Sequence, residues 1–348
     1  LGFTHAPEVI EAASRAALKF GTGSSGSRLT TGGTFIASEL EKRLADFKHS
    51  ESALVFNTGY MTNLGVLYGL MQTGDVVFSD ELNHASIIDG CRISRCKVVV
   101  YKHNDMADLQ RLLETEIVTG QRFIVTDGVF SMDGDIADLP SLAVLKKQFN
   151  ACLIVDDAHG VGVIGNDGSG TASHYGLTDV IDLQVGTLSK ALAAEGGYVA
   201  GKKILIDYLI NRSRPFIFST ALAPATLAAA NAALLLLQTQ ASKYLDSLRA
   251  NSRLMRRLLL EGGLNVVEGI TPIIPVVIGE AGLTMQFADR LKSKGILVSG
   301  IRPPTVPRGE SRLRITVTAA HCEEQLRQAA QIITALWQEL KHGEKKEG

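Results

Sequence analysis

Two acids and an imidazole close a short apolar run at Val155-Asp156-Asp157-Ala158-His159-Gly160. An acid at the end of a buried strand is costly unless it is paired, because an isolated charge in a low-dielectric interior is strongly disfavoured. Its partner could be a metal, an Arg or the protonated nitrogen of a cofactor, and the metal lacks a third ligand at sensible spacing. A second run leads into Gly186-Thr187-Leu188-Ser189-Lys190, which sets a Lys among small hydroxyl residues. A lone Lys is usually a solvated charge, but in a largely desolvated pocket its lowered pKa lets it form a Schiff base with an aldehyde cofactor. Asn57-Thr58-Gly59-Tyr60 lies between an apolar strand and a helical run. Such a turn either aims unpaired helix N–H groups at an anion or simply uses Gly for positive φ. An acid for a pyridinium nitrogen, a Lys for an imine and a phosphate-cradling turn together fit pyridoxal phosphate better than any other cofactor.

Gly21-Thr22-Gly23-Ser24-Ser25-Gly26 also satisfies the G-x-G-x-x-G pattern, which would suit an NAD-dependent dehydrogenase. That motif needs a strand before it and a helix opening inside it. Here a helical pattern over 9–20 precedes and a Ser/Thr-rich loop follows, so a flexible or ligand-approaching glycine loop is the better reading.

These residues need a scaffold. Apolar, β-branched runs at 53–56, 76–79, 97–101, 123–126, 152–156, 182–186 and 198–201 alternate with helical patterns such as 61–71 and 142–149. Seven strands with intervening helices predict an α/β layer with a mostly parallel sheet, since parallel strands need crossover connections. Ligands on such sheets collect at the carboxyl ends of the strands, where the polar residues above fall. Beyond 201 the pattern changes to an Ala/Leu helix over 221–237 and a charged helix over 244–260. A strand at 273–278, a helix at 284–294, strands at 296–299 and 313–318 and a final amphipathic helix follow, a smaller α+β domain with a polar tail, 342–348, expected to fray. The expected division is an N-terminal segment 1–20, a large cofactor-binding domain 21–240 and a small domain 241–348.

The 348 residues carry 35 Lys+Arg against 36 Asp+Glu, a net charge of −1 that gives no bulk attraction to nucleic acid or a membrane surface. At 45% hydrophobic the chain is not disordered. Its 34 Gly imply many tight turns or backbone that approaches a ligand. Cys91, Cys96, Cys152 and Cys322 form no CxxC pair and read as small hydrophobes in a reducing, cytoplasmic setting. The most apolar stretch, 221–237, falls short of the roughly 20 residues that span a bilayer, and no secretory signal is visible at the start.

The stretches SDELNHASIIDGCR (79–92), VTDGVFSMDGDIADLP (125–140), VDDAHGVGVIG (155–165), GTLSKALAAEGGYVAG (186–201) and GIRPPTVPRGESRLRITVTAAH (300–321) resemble the α-oxoamine synthase family of fold-type I pyridoxal phosphate enzymes. The likeness runs from about residue 5 to 340, with five motifs in order. It implies a cytoplasmic homodimer that condenses L-alanine with a pimeloyl thioester, on coenzyme A or an acyl carrier protein, with loss of CO2; condensation of glycine with acetyl-coenzyme A is the alternative within the family.

Residue by residue, the resemblance implies that Lys190 holds the cofactor, Asp156 pairs with the pyridine nitrogen, and His159 and Ser131 contact the phenolic oxygen. His84 would stack on the ring. Gly59 and Tyr60 amides, Thr187, and Thr220 from the neighbouring subunit would bind the phosphate. Arg314 would clamp the amino-acid carboxylate through its planar fork, and Arg302 and Thr305 would line the substrate channel. The family usually has Asn-Asp-Tyr before the Leu1-Gly2 found here, so an intact site is expected to need residues upstream of Leu1.

Overall fold

The computed structural model describes residues 1–347, with side chains through Lys341; the expected fraying of 342–348 lies outside the described side chains. The seven expected strands form one sheet: β1 (Ser52–Phe56), β2 (Val76–Asp80), β3 (Lys97–Tyr101), β4 (Arg122–Asp127), β5 (Ala151–Asp156), β6 (Leu183–Thr187) and β7 (Gly197–Gly201). Their order is β1-β7-β6-β5-β4-β2-β3. β2, β3, β4, β5 and β6 run parallel, and β7 is antiparallel to both its neighbours.

The apolar runs are continuous rather than alternating because both faces are covered. Val77, Val125 and Ile154 enter one core with Leu67 and Leu209, while Phe78, Ile124 and Leu153 enter another with Leu139 and Leu142. This alternation is the period of two along each strand. It leaves the strand ends as the place for polar groups.

By its internal contacts the chain divides into two compact units, Gly2–Phe130 with Ile136–Ser242, and Leu1 with Ser131–Asp135 and Lys243–Gly348. The second unit has its own antiparallel sheet of β8 (Ile273–Gly279), β9 (Ser299–Ile301) and β10 (Ser311–Thr316), in the order β8-β10-β9. Helices Ala281–Ser293 and Glu323–Glu347 supply Phe287, Leu291, Ile333 and Trp337 to its core. The last expected strands are displaced: 296–299 becomes Ser299–Ile301, set by the register of Ser299 and Ile301 against Arg314 and Arg312. The two helices expected over 221–237 and 244–260 both lie within Pro224–Glu261, separated by a kink at Gln240, where φ is −133° and ψ 28°, outside helical values. No Gly or Pro lies between Pro224 and Gly262, so the break at Gln240 is not made by a helix-breaking residue.

No helix among the described residues is long and apolar enough to cross a membrane. Cys91 is buried, and its thiol, like that of Cys152, is pushed up to about 12 by burial, so both act as packing groups rather than nucleophiles.

Candidate active site

The two neighbouring acids at the end of β5 have separate fates. Asp157 is completely buried with Lys48, whose Nζ lies 2.8 Å from its Oδ2 with side-chain exposures of 0% and 1%. Thr171 donates to the same carboxylate through its N–H, at 3.0 Å to Oδ2, and its hydroxyl, at 2.8 Å to Oδ1. Asp157 also shapes the turn that follows, because its carbonyl accepts from the N–H groups of Gly160 and Val161. The pair is structural, and leaving either charge alone there costs about 3–5 kcal/mol.

Asp156 is as buried but differs in kind. Its Oδ2 accepts from Asn63 Nδ2 at 2.6 Å and its Oδ1 from the Ala158 N–H at 3.0 Å, and among the described residues it enters no ion pair. A buried carboxylate held by neutral donors and outside any ion pair fits a group that brings its own positive charge, such as a protonated ring nitrogen. No cluster of three metal-ligating side chains exists among the described residues.

Beyond β6, Lys190 Nζ lies 2.8 Å from His159 Nε2. The imidazole therefore sits where it can take a hydrogen from the Lys head group. In the single chain Lys190 is exposed, which corrects the expectation of a desolvated pocket. It stands in a loop beyond the strand end, and such loops run over the surface.

The turn before helix Gly59–Leu70 is built to receive an anion. Thr58 caps the helix, its Oγ1 accepting from Met61 N–H at 3.0 Å, and the helix itself supplies no acceptor for the Gly59 and Tyr60 amides. A Cβ on Gly59 would lie 3.2 Å from the Thr187 side chain, and one on Gly197 only 2.6 Å from Gly59 Cα. Glycine there lets the turn, β6 and β7 converge into a cradle that a side chain would fill. Thr187 donates to the Gly196 carbonyl at 3.0 Å and lies 2.7 Å from Ser189 Oγ, so Ser189 is a further hydroxyl at the cradle that the sequence reading did not single out. Thr220 is exposed, with its carbonyl accepting from Asn57 Nδ2 at 2.8 Å. Cradle, acid and Lys thus fit pyridoxal phosphate.

His84 caps helix Ala85–Ile93. Its backbone N–H donates to Asp127 Oδ2 at 2.7 Å, and Nδ1 lies 2.7 Å from Ser86 Oγ. Asp127 stands beside Asp156 in the β4–β5 register, and burial together with the Asp156 charge raises its carboxyl well above the usual range. Neither Asn63 nor Asp127 was recognised from sequence; the only signal was a polar residue inside an otherwise apolar helix and a second acid at a strand end.

Gly21 to Gly26 follow helix Pro7–Phe20 and precede no helix directly, so the dinucleotide context is absent. The loop instead fastens its neighbour, with Ser24 Oγ donating to Ala221 O at 2.6 Å and Ala221 N–H to Gly26 O at 2.9 Å.

The remaining expected residues belong to the second unit. Arg314 on β10 donates through Nε to Ser131 O and through Nη1 to Thr316 Oγ1 at 3.0 Å. Burial lowers its guanidinium pKa. Arg312 reaches Asp133, and Thr271 Oγ1 donates to Gly134 O at 2.8 Å, so the excursion 131–135 is pinned to this unit. Arg302 and Thr305 are exposed in the Pro-rich segment, joined by a Thr305 N–H to Arg302 O bond of 3.1 Å. The structure thus gathers Lys190, His159, Asp156, His84, Gly59, Tyr60, Thr187 and Thr220 in one unit, and Ser131, Arg302, Thr305 and Arg314 in the other.

The family model for aminotransferase class I and II matches residues 2–333. An 8-amino-7-oxononanoate synthase from Lysinibacillus sphaericus is 52% identical over 308 residues, 88% of this chain and 79% of that protein. Among solved structures, a serine palmitoyltransferase with pyridoxal phosphate superposes with a TM-score of 0.95 at 32% identity, over 98% of this chain and 86% of that one. An 8-amino-7-oxononanoate synthase from Francisella tularensis gives a TM-score of 0.81 at 30% identity, over 98% and 95%.

Proposed function

We propose, for a chain that belongs to the aminotransferase class I and II family, that it is the pyridoxal-phosphate-dependent acyltransferase that condenses L-alanine with a pimeloyl thioester to 8-amino-7-oxononanoate and CO2, in biotin biosynthesis. The observation that carries this choice of substrate is the identity of 52% with a synthase of that name. The likeness to serine palmitoyltransferase, at 32% identity, supports the cofactor and the architecture.

When bound, pyridoxal phosphate supplies an aldehyde for the substrate amine and a protonated ring that accepts electron density from the α-carbon. Asp156 would hold the proton at the ring nitrogen, since among the described residues its buried carboxylate is met only by the neutral donors Asn63 and Ala158 N–H. Lys190 would hold the aldehyde end and serve as the base for the α-proton at Nζ, and His159 Nε2, 2.8 Å away, is placed to accept a hydrogen from it. His159 and Ser131 meet the phenolic oxygen. His84 would stack on the ring face and so fix the plane against which the substrate's Cα–H bond is oriented. The Gly59 and Tyr60 amides, Thr187 and Thr220 bind the phosphate. Arg314 binds the amino-acid carboxylate, and Arg302 and Thr305 line the acyl path.

Incubation with L-alanine and pimeloyl-coenzyme A or pimeloyl-acyl carrier protein is expected to release CO2, free thiol and the nine-carbon keto-amine. Turnover only with glycine and acetyl-coenzyme A, or only with serine and a palmitoyl thioester, would overturn the choice.

The homodimer belongs to the same reading, with the exposed Thr220 reaching the phosphate of a second copy. The mass in solution is expected to be twice the chain mass of 37.3 kDa, and a monomer active at assay concentration would refute the shared site. A cytoplasmic setting completes it, supported by four free cysteines.

A further inference from the structure

We propose that Asn63 and Ser86 are positioning residues that hold the exposed His84 imidazole neutral, with its hydrogen on Nε2, and join it to the buried Asp156 in one hydrogen-bonded chain. The chain is read from the geometry; its meaning for the reaction rests on the proposed function.

Asn63 lies inside helix Gly59–Leu70, which also buries Val66 and Leu67, and is only 2% exposed, so its side-chain amide must find partners. Its Nδ2 carries two hydrogens, and two acceptors meet it: Asp156 Oδ2 at 2.6 Å and Ser86 Oγ at 2.8 Å. An amide nitrogen can only donate, so the Ser86 oxygen is an acceptor toward Asn63. The Ser86 hydroxyl hydrogen then goes to His84 Nδ1 at 2.7 Å. The Ser86 backbone N–H, which also can only donate, lies 3.2 Å from the same nitrogen. Two donors on Nδ1 leave it no hydrogen of its own, so the ring is neutral and Nε2 is its donor.

The surroundings agree. The charged groups facing His84 are Asp127 at its backbone N–H, Asp156 and Lys190. Burial lowers the imidazole pKa, Lys190 lowers it further, and the Asp156 charge works against both. One amide therefore serves two groups. Losing Asn63 removes a donor from the acid and loosens the imidazole together, whereas losing the Ser86 hydroxyl disturbs the imidazole alone.

That asymmetry is the test. Holoenzyme labelled with 15N-histidine, with the His84 signals assigned against His84→Gln, is expected to show a single tautomer protonated at Nε2. Ser86→Ala should mix the tautomers, raise the pH at which His84 charges, and lower kcat about tenfold, the scale of one hydrogen bond of roughly 1.4 kcal/mol. The pH dependence of the near-visible cofactor band should stay as it was. Asn63→Ala should do all of this and also shift the band's pH dependence; if it does not fold, Asn63→Ser is the substitute. A single Nε2–H tautomer with unchanged kcat in both variants would overturn the proposal, as would a common loss of Tm with unmoved His84 signals. An unmutated protein without a cofactor band refutes the proposed function and the positioning role together; a normal band with an unmoved tautomer refutes the positioning role alone.

Discussion

Lys190→Ala is expected to lower kcat by at least about 10³-fold, because under the proposed function it removes both the covalent anchor and the base for the α-proton. Its effect on folding should be small. Lys190 is exposed, and the half-buried His159, whose Nε2 lies 2.8 Å from it, can turn to water in its absence, so the apoprotein should melt within the about ±0.5 kcal/mol typical of surface changes. The separation of the two quantities is what makes the experiment informative. Borohydride treatment of the unmutated holoenzyme should abolish the near-visible band and leave the cofactor attached to Lys190, as peptide mapping would show. Substantial turnover by Lys190→Ala, or a label on another Lys, would show that the anchoring assignment is wrong.

The strands were legible because their signal is local. Each of the seven runs in the large unit falls within about two residues of a strand, since a strand covered on both faces leaves an unbroken apolar stretch. The position of the candidate residues was legible for the same reason: Asp156 closes one such run, His159 and Lys190 follow within four residues, and a strand end is where a parallel sheet presents its ligands. What escaped the sequence is pairing over distance. Lys48 reads as one more surface charge after a helix, and only the fold brings it to Asp157, 109 positions away. Asn63 reads as a blemish in an apolar helix until Asp156 appears opposite, 93 positions on. The segment 131–135 is one continuous stretch with the strand and turn before it, and its assignment to the other unit comes from the Arg312, Arg314 and Thr271 side chains that hold it.

The same contrast explains why the chain carries two adjacent buried acids. Asp157 with Lys48 and Thr171 anchors the turn that bears His159, and every one of its needs is met within the protein. Asp156 is left with neutral donors alone. A buried charge without a counter-charge destabilises a fold, so its persistence marks a site where a ligand supplies the balance.

Asp156→Asn tests that balance. The change is nearly isosteric, but the amide cannot stay anionic opposite a ring nitrogen, and breaking one side of a buried ion pair costs about 3–5 kcal/mol, roughly 10²- to 10⁴-fold in rate or affinity. Two effects should follow. kcat should fall by about that factor, with the near-visible band altered because the ring is no longer held protonated. The stabilisation that the cofactor confers should shrink too, since a ligand raises stability only by RT ln(1 + [L]/Kd) and a weaker Kd reduces it at fixed cofactor concentration. Comparing Tm with and without pyridoxal phosphate separates this from a folding defect, because a general loss of packing lowers both values together whereas a lost counter-charge narrows the gap between them. If Asp156→Asn keeps the full gap, the unchanged band and the unchanged kcat, the carboxylate does not face the ring nitrogen, and its burial needs another explanation.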